Sequence, residues 1–545
     1  MDKNKYILLL NGKDKTSDVE SIEHQSTKIA VKFFNSGKQF TYNKSNVILL
    51  DNPSIFNHNN YLIYLGNRCL SNIEKVLDFG THLKIFYIQG KVSSYSKFKL
   101  SFKDNVLANK SAKHVLAYLK ELSSYFKNEE NDFLYNQYEK IKSISEDSVL
   151  AKYLKPDSIA RKTFDSPIIY PFGFNLSQEE GVIKALTNQI SIIEGPPGTG
   201  KTQTILNILV NLVMNDKSIA IVSNNNTAIT NIFEKLDAEK LSFFSAVLGN
   251  KANKDIFFNS QNKEYPEYKV IDIDTVQKYT NSIEKSMSKI KEMLKNKNNL
   301  AKFSLELEEL QIEKKYFMEL YEKRKLNVKD FKKFTNYKLD KILSLWAEIE
   351  EFHHDNKKVS LYFKIKSIFK YKIFAFSFYD NPVDDIIIIL QYYFYMVKEM
   401  ELTSSIQNLE KVLSNFNFDK ELFSHRQKSM TVFKSYLSQK YNMKDTRKQF
   451  VSTDLWRKFD GFIKEYPVIF STTHSLPSST GPNFLYDYLI IDEASQVDIL
   501  SGSLALSCAK NVVVVGDLKQ LPHIVKSESL NSLDDIFKKH NFRIY

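Results

Sequence analysis

The 545 residues are 43% hydrophobic and 26% charged, enough for several domains with a sizeable buried core. The net charge of +12 suits a polyanionic partner, although the lysines are scattered and mostly solvated surface. The two cysteines, Cys69 and Cys508, stand far apart with no metal-ligand spacing, so a reducing, cytoplasmic compartment is expected.

Met1-Asp2-Lys3-Asn4-Lys5-Tyr6 leads into no long apolar core and does not read as a signal peptide. Residues 1–108 read as a β-rich accessory domain. Lys28–Phe34 alternates, Asn35-Ser36-Gly37-Lys38 turns, and Gln39–Tyr42 alternates back, which is a hairpin. Leu83, Ile85 and Tyr87 alternate again, as do Phe98, Leu100 and Phe102, so a small barrel or sandwich is expected. Residues 109–165 read as a helical connector, with Val115, Leu116, Leu119 and Leu122 on one face.

Residues 166–278 and 450–545 read as one α/β domain. Ser177 and Glu180 form a capping-box pattern that predicts a helix start, with Val182, Ile183 and Leu186 on its apolar face. Gln178 sits there as a candidate for adenine recognition, because a glutamine amide offers a donor and an acceptor together. The apolar run Gln189–Glu194 predicts a buried strand, and Gln203–Val210 predicts a helix. Between them stands Gly195-Pro196-Pro197-Gly198-Thr199-Gly200-Lys201-Thr202, a complete phosphate-binding loop in the strand–turn–helix context it requires. Glycines let backbone N–H groups converge on an anion, and the helix N-terminus adds partial positive charge. Lys201 is expected on the β- and γ-phosphates of ATP, Thr202 on Mg²⁺, and Gln203 in the first turn beside them.

Ser218–Ser223 predicts a second buried strand running into Asn224–Ile232. Small amides and hydroxyls at a strand's carboxyl end suit a nucleic-acid backbone, and suit an ordinary polar helix cap equally. Residues 279–449 read as a long helical insertion. Ile283, Met287, Ile290 and Leu294, then Phe303, Leu307, Leu310 and Phe317, form a coiled-coil seam with a stutter. A segment around Met396–Tyr436 is expected to return antiparallel. Ile386–Val397, interrupted by Gln391, is too short to span a bilayer, and no membrane partner is expected. The lysine–aromatic stretch Leu361–Phe374 reads as a packing element in preference to a nucleic-acid patch.

Strands resume at Tyr466–His474 and Tyr488–Ile491. The latter delivers Asp492 and Glu493 to the ligand edge, where Asp492 suits Mg²⁺ and Glu493 suits polarising the attacking water. A further strand, Asn511–Val515, leads to Gly516-Asp517-Leu518-Lys519-Gln520-Leu521-Pro522, with Gln520 expected near the γ-phosphate. His474 reads as a loop histidine, with no second ligand near it.

Together these residues resemble the superfamily 1 helicases, and within them the B subgroup of the nonsense-decay RNA helicase and the Okazaki-fragment nuclease-helicase. The resemblance rests on Asn175–Gln178, the Gly195–Thr202 loop, Asn225–Ile229 with Glu234-Lys235-Leu236, Asp492–Gln496 and Gly516–Pro522. It covers residues 172–526 outside the helical insertion, which stands where the family places its stalk and accessory subdomain. It implies a RecA-like ATPase domain with Lys201, Glu493 and Gln520 catalytic, and Asn226, Thr227, Thr472 and Thr473 facing single-stranded or duplex DNA or RNA. Family members complete the ATP site with arginines from a second RecA-like domain. The sequence through Tyr545 is expected to carry only the first of these, as a chain truncated or split from the second, which in the split case a separate chain supplies. The other readings weighed are an ATP-switched binding module and an unrelated phosphate-loop kinase, which leaves the Gln520 motif unexplained.

Overall fold

In the computed structural model the described residues are 1–34, 37–66, 68–88, 90–125, 133–156, 158–268, 271–324, 338–355, 358–374, 376–441, 446–520 and 527–541. They form two compact units, residues 1–280 with 427–545, and residues 281–426.

The first unit opens with one small β module that occurs twice. In the first copy, Ile7–Leu10 pairs with Lys13–Asp14 and Val47–Leu50, while Val19–His24, Lys28–Phe33 and Gln39–Asn43 form a second antiparallel sheet. In the second copy, Tyr61–Leu65 pairs with Arg68–Cys69 and Leu100–Asp104, while Ile73–Asp78, His82–Tyr87 and Val92–Ser96 repeat the other sheet. Register breaks fall at the same place, Val19/Ser21 and Ile73/Lys75. A 3-10 turn precedes the last strand in both, at Lys44–Asn46 and Lys97–Lys99. The cores correspond too, Val19, Ile29, Val31 and Val47 matching Ile73, Leu83, Ile85 and Leu100. A trace persists in the sequence, Ser17-Asp18-Val19-Glu20 against Ser71-Asn72-Ile73-Glu74. The expected hairpin forms, its turn residues Asn35 and Ser36 lying outside the described residues. Buried Lys84 of the second copy stitches the two together, donating to the Tyr6 carbonyl at 3.0 Å and lying 3.6 Å from Asp14.

Helix Lys110–Tyr125 follows, its Leu116, Leu119 and Leu122 packing with Leu150, Leu154, Leu500 and Leu504. The predicted connector is thus fastened to the α/β part by an apolar face.

That part is a six-stranded parallel sheet, β1 (Ile190–Glu194), β2 (Ile219–Val222), β3 (Ser245–Val247), β4 (Val468–Ser471), β5 (Tyr488–Ile491) and β6 (Val512–Gly516). The order across it is β1-β6-β5-β2-β4-β3. Strands covered on both faces need unbroken apolar runs, which is how the sequence writes β2, β4 and β5. All five expected strands are present. The sixth, β3, is a three-residue edge strand with no sequence signature. After β1 the helix Lys201–Met214 buries every residue from Thr204 to Val213, so it is wrapped by the domain on all sides.

The second unit is helical. Helix Ile273–Lys323 enters it and Val383–Ser414 and Phe418–Tyr441 lead back. Ile283, Ile290, Leu310 and Phe317 of the predicted seam are buried. The pairs Lys398–Glu306 at 2.6 Å, Phe317–Tyr395 at 5.1 Å and Tyr321–Tyr392 at 4.9 Å run in opposite senses along the two helices, as an antiparallel return requires. Helix Leu361–Tyr371 packs through Phe363, Ser367 and Tyr371, and its lysines are spoken for: Lys364 by Asp380, Lys366 and Lys370 by Glu348. Among the described residues no helix is long and apolar enough to cross a membrane.

Candidate nucleotide site

The site is built where β1 gives way to the helix Lys201–Met214. Gly200 caps that helix with φ +84°, a left-handed conformation that a side chain resists. A Cβ there would also stand 2.0 Å from Gln178 Nε2, so two constraints meet at one residue. At Gly195 a Cβ would lie 2.7 Å from Thr199 Oγ1, which donates to the Pro196 carbonyl at 2.8 Å. Pro196, Pro197, Gly198 and Thr199 are exposed, while Thr202 and Gln203 lie half-buried in the first turn. Lys201 folds over the loop, its Nζ donating to the Gly195 carbonyl at 2.7 Å.

The helix before β1, Leu176–Thr187, begins two residues earlier than the Ser177–Glu180 pattern predicts. Its cap is Asn175, which accepts from the Gln178 N–H while Gln178 Oε1 accepts from the Asn175 N–H, both at 2.9 Å. An amide reaches both partners in the first turn as well as a Ser–Glu pair does. Gln178 is thereby fixed, and its Nε2 donates towards the Thr199 and Gly200 carbonyls and Gln203 Oε1 at 3.1, 3.4 and 3.3 Å. In this ligand-free arrangement it ties its helix to the phosphate loop.

Sequence reasoning missed the residues that hold the other flank. Asn207 exchanges hydrogen bonds with Phe172 and Gly173 at 3.2 and 2.7 Å, and Asn211 with Ile169 at 3.0 and 2.8 Å. Gln203 adds a bond to the Phe172 carbonyl. Gln203, Asn207 and Asn211 recur every four residues on an otherwise apolar helix, and that row of amides was the available signal.

Across the sheet edge, β5 ends in Asp492 and Glu493. Asp492 is buried, and its Oδ1 accepts the Glu493 N–H at 3.0 Å. Burial pushes its carboxyl up to about 6, the neighbouring Glu493 charge adds to that, and Lys201 offsets part of it. Lys201 and Asp492 therefore share one electrostatic environment, although their strands are separated by β6. Glu493 adopts φ +51°, a costly conformation for a non-glycine residue, and its Oε2 is buried without a hydrogen-bond partner among the described residues. A buried carboxylate and an orphaned carboxylate oxygen at adjacent residues have the oxygen chemistry that a hard divalent cation takes. Gln520 lies half-buried in the turn after β6, its N–H on the Asp517 carbonyl at 3.2 Å. Leu521 and Pro522 of that motif lie outside the described residues.

The expected nucleic-acid residues lie at the carboxyl ends of β2 and β4. Asn226 and Thr227 are exposed, and the Thr227 N–H is held by the Asn225 cap at 2.9 Å. Thr472 is half-buried with His474 at 3.4 Å. Thr473 is fully buried and donates to Asn224 Oδ1, so its hydroxyl orients that amide and does not face solvent. Asn224 in turn donates to the Gln496 carbonyl at 3.1 Å, linking this edge to the turn after Glu493.

Over a stretch of 110 residues the chain is 41% identical to an uncharacterised ATP-dependent helicase of Mycoplasma genitalium, covering 20% of this chain and 10% of that protein. A DNA polymerase alpha-associated DNA helicase of Schizosaccharomyces pombe is 38% identical over 65 residues, 12% of this chain and 10% of the relative. The mouse DNA-binding protein SMUBP-2 is 38% identical over 68 residues, 12% of this chain and 7% of its own length. The aligned stretches thus span about a tenth or less of these relatives. The AAA domain family AAA_11 matches residues 173–528, more than half of the chain, and with the phosphate loop and the Asp492–Glu493 pair in place the chain belongs to that family, in its superfamily 1 helicase branch.

Proposed function

We propose that the chain is the ATP-binding part of a superfamily 1 helicase or translocase, coupling ATP hydrolysis to movement on a DNA or RNA strand. The observation that carries this is the convergence of Lys201 with the buried Asp492 and the strained Glu493 at one sheet edge. Nucleotide binding alone needs the loop. A carboxylate held with an unsatisfied oxygen beside it serves hydrolysis.

In this reading the loop N–H groups and Lys201 cradle the phosphates, releasing Lys201 from the Gly195 carbonyl. Thr202 and Asp492 would hold Mg²⁺, which when bound draws charge off the phosphate oxygens. Glu493 accepts the proton of the attacking water, and Gln520 reports the γ-phosphate to β6 and the turn beyond it. Gln178 would give adenine the amide it now gives the loop carbonyls. Asn226, Thr227 and Thr472 contact the strand backbone, and Thr473 acts through Asn224. The family resemblance places charge-stabilising arginines on a second RecA-like domain, in the same polypeptide or another. Residues 1–545 alone are then expected to bind ATP and turn it over slowly, since such an arginine is worth roughly 10³–10⁵ in rate. Phosphate release is the test. Adding the second domain should confer strand-stimulated hydrolysis that Glu493→Gln abolishes while ATP binding persists. Strand-independent turnover untouched by Glu493→Gln refutes the assignment.

A further inference from the structure

A second cavity, of about 1090 Å³, lies away from the phosphate loop. Its walls come from the second β module, the stretch from Asn136 to Ser145, and the segment around Trp456 and Pro477–Leu485 of the α/β part. The walls are cross-braced: Asn105 donates to the Asn59 carbonyl at 2.8 Å and accepts from the Ile144 N–H at 3.0 Å. The first β module has no share in this lining, so the duplicated modules have taken different positions on the molecule.

One residue on the helix Phe133–Lys140 is out of balance. Gln137 is only 4% exposed, lines the cavity, and has no hydrogen-bond partner among the described residues. No described protein group ties up its amide, so the amide can pair with a ligand edge in the cavity. An amide offers one donor and one acceptor side by side, which matches a nucleobase edge. Trp456, 56% exposed, and Tyr61, 40% exposed, line the same space from different walls and are the aromatic rings a base could stack on. Lys140 and Lys142 line it and are exposed, while the lining carboxylate Glu139 is already held by Lys120 at 2.7 Å and Tyr135 at 2.6 Å. The cationic balance is therefore available for a phosphate. The same helix begins with Phe133, whose ring meets His474 edge-on at 5.9 Å, two residues beyond Thr472. The cavity wall is thus joined to the edge where a strand is proposed to lie.

We propose that this cavity is a second nucleotide-binding site, in which Gln137 pairs with the base edge, an aromatic face of Trp456 or Tyr61 stacks on it, and Lys140 and Lys142 hold its phosphate. The nucleotide is either one residue of the bound single strand or a free nucleotide. The first source rests on the helicase reading, and the second does not.

The experiment uses the full chain, with the phosphate loop saturated by a non-hydrolysable ATP analogue. Two photo-reactive probes are compared, a single-stranded oligonucleotide carrying 4-thiouridine and 4-thiouridine monophosphate. Cross-links at Trp456, Tyr61 or Tyr64, with affinity about tenfold weaker in Gln137→Leu, support the site, two lost hydrogen bonds being worth about that factor. The probe that cross-links identifies the source. Gln137→Leu should melt near the wild-type temperature, because it removes no hydrogen bond to a described residue, and this separates lost binding from lost fold. Wild-type affinity in Gln137→Leu, or cross-links confined to Asn226, Thr227 and Thr472, overturns the proposal and leaves the helicase reading standing. Failure of the oligonucleotide to bind at low salt refutes the helicase reading, and the mononucleotide then decides the cavity.

Discussion

Replacing Asp492 by Asn should stabilise the ligand-free protein while damaging its use of Mg·ATP. The carboxyl is raised from 3.8 to about 6, chiefly by burial, so the folded chain holds this proton more tightly than the unfolded one. The penalty for ionising it is absent below the unfolded value, grows as pH rises between the two, and is complete above the folded value. At about 1.36 kcal/mol per tenfold change in proton affinity, the full penalty is about 3 kcal/mol, falling to about 1 kcal/mol near pH 4.5. The asparagine side chain keeps an acceptor for the Glu493 N–H and removes the charge. Thermal melting in EDTA is the assay. Asp492→Asn should melt several degrees above wild type at about pH 8, with the advantage shrinking towards about pH 4.5. Saturating Mg·ATP should reverse the order, since ligand at a hundred times its Kd stabilises by about 2.7 kcal/mol and only wild type keeps the cation ligand. An advantage independent of pH, or a mutant less stable than wild type without ligand, would show that Asp492 is not held as a desolvated carboxylate.

Lys201→Ala should abolish calorimetric binding of a non-hydrolysable ATP analogue, and equal affinity would remove the phosphate-loop assignment. Gly200→Ala should cost both ATP affinity and stability, about 1–3 kcal/mol, because the new Cβ meets Gln178 Nε2 in a left-handed conformation; an unchanged melting curve would contradict the geometry. Strand binding should fall steeply with salt and vary little with base sequence, and Asn226→Ala and Thr227→Ala should weaken it in fluorescence anisotropy. Lys84→Ala should lower the melting temperature, since it removes the cation that joins the two β modules through Tyr6 and Asp14, and protease sensitivity between residues 50 and 60 should rise with it.

The α/β domain was legible because its strands are covered on both faces and its loop chemistry is local. Ile490-Ile491-Asp492-Glu493 names both a buried strand and what it delivers, within four residues. Edge strand β3 was not, because Ser245-Ala246-Val247 is too short for any period to show and is fixed only by pairing with β4. The capping box lies two residues from its predicted place for a related reason. Ser177 and Glu180 satisfy the pattern, but Asn175 with Gln178 satisfies the geometry, and only the position of the phosphate loop decides between them. The duplication of the β module escaped notice because its identities are confined to a few turn and core positions, whereas the repeated register break and 3-10 turn are properties of the backbone.

What no sequence pattern could show is where the fold leaves polar groups unpaid. The positive φ and orphaned oxygen of Glu493 and the desolvated Asp492 each lower the stability of the ligand-free chain. Such costs persist only where surrounding packing over-determines them, and the rigid support is visible in β5 and β6 behind the acidic pair, while Asn105 braces the walls of the cavity that Gln137 lines. The two places share no residue and differ in chemistry, carboxylate oxygens in one and an amide with aromatic rings and lysines in the other. The helix Phe133–Lys140 supplies a physical link between the second place and the strand face, because Phe133 at its start meets His474 two residues beyond Thr472.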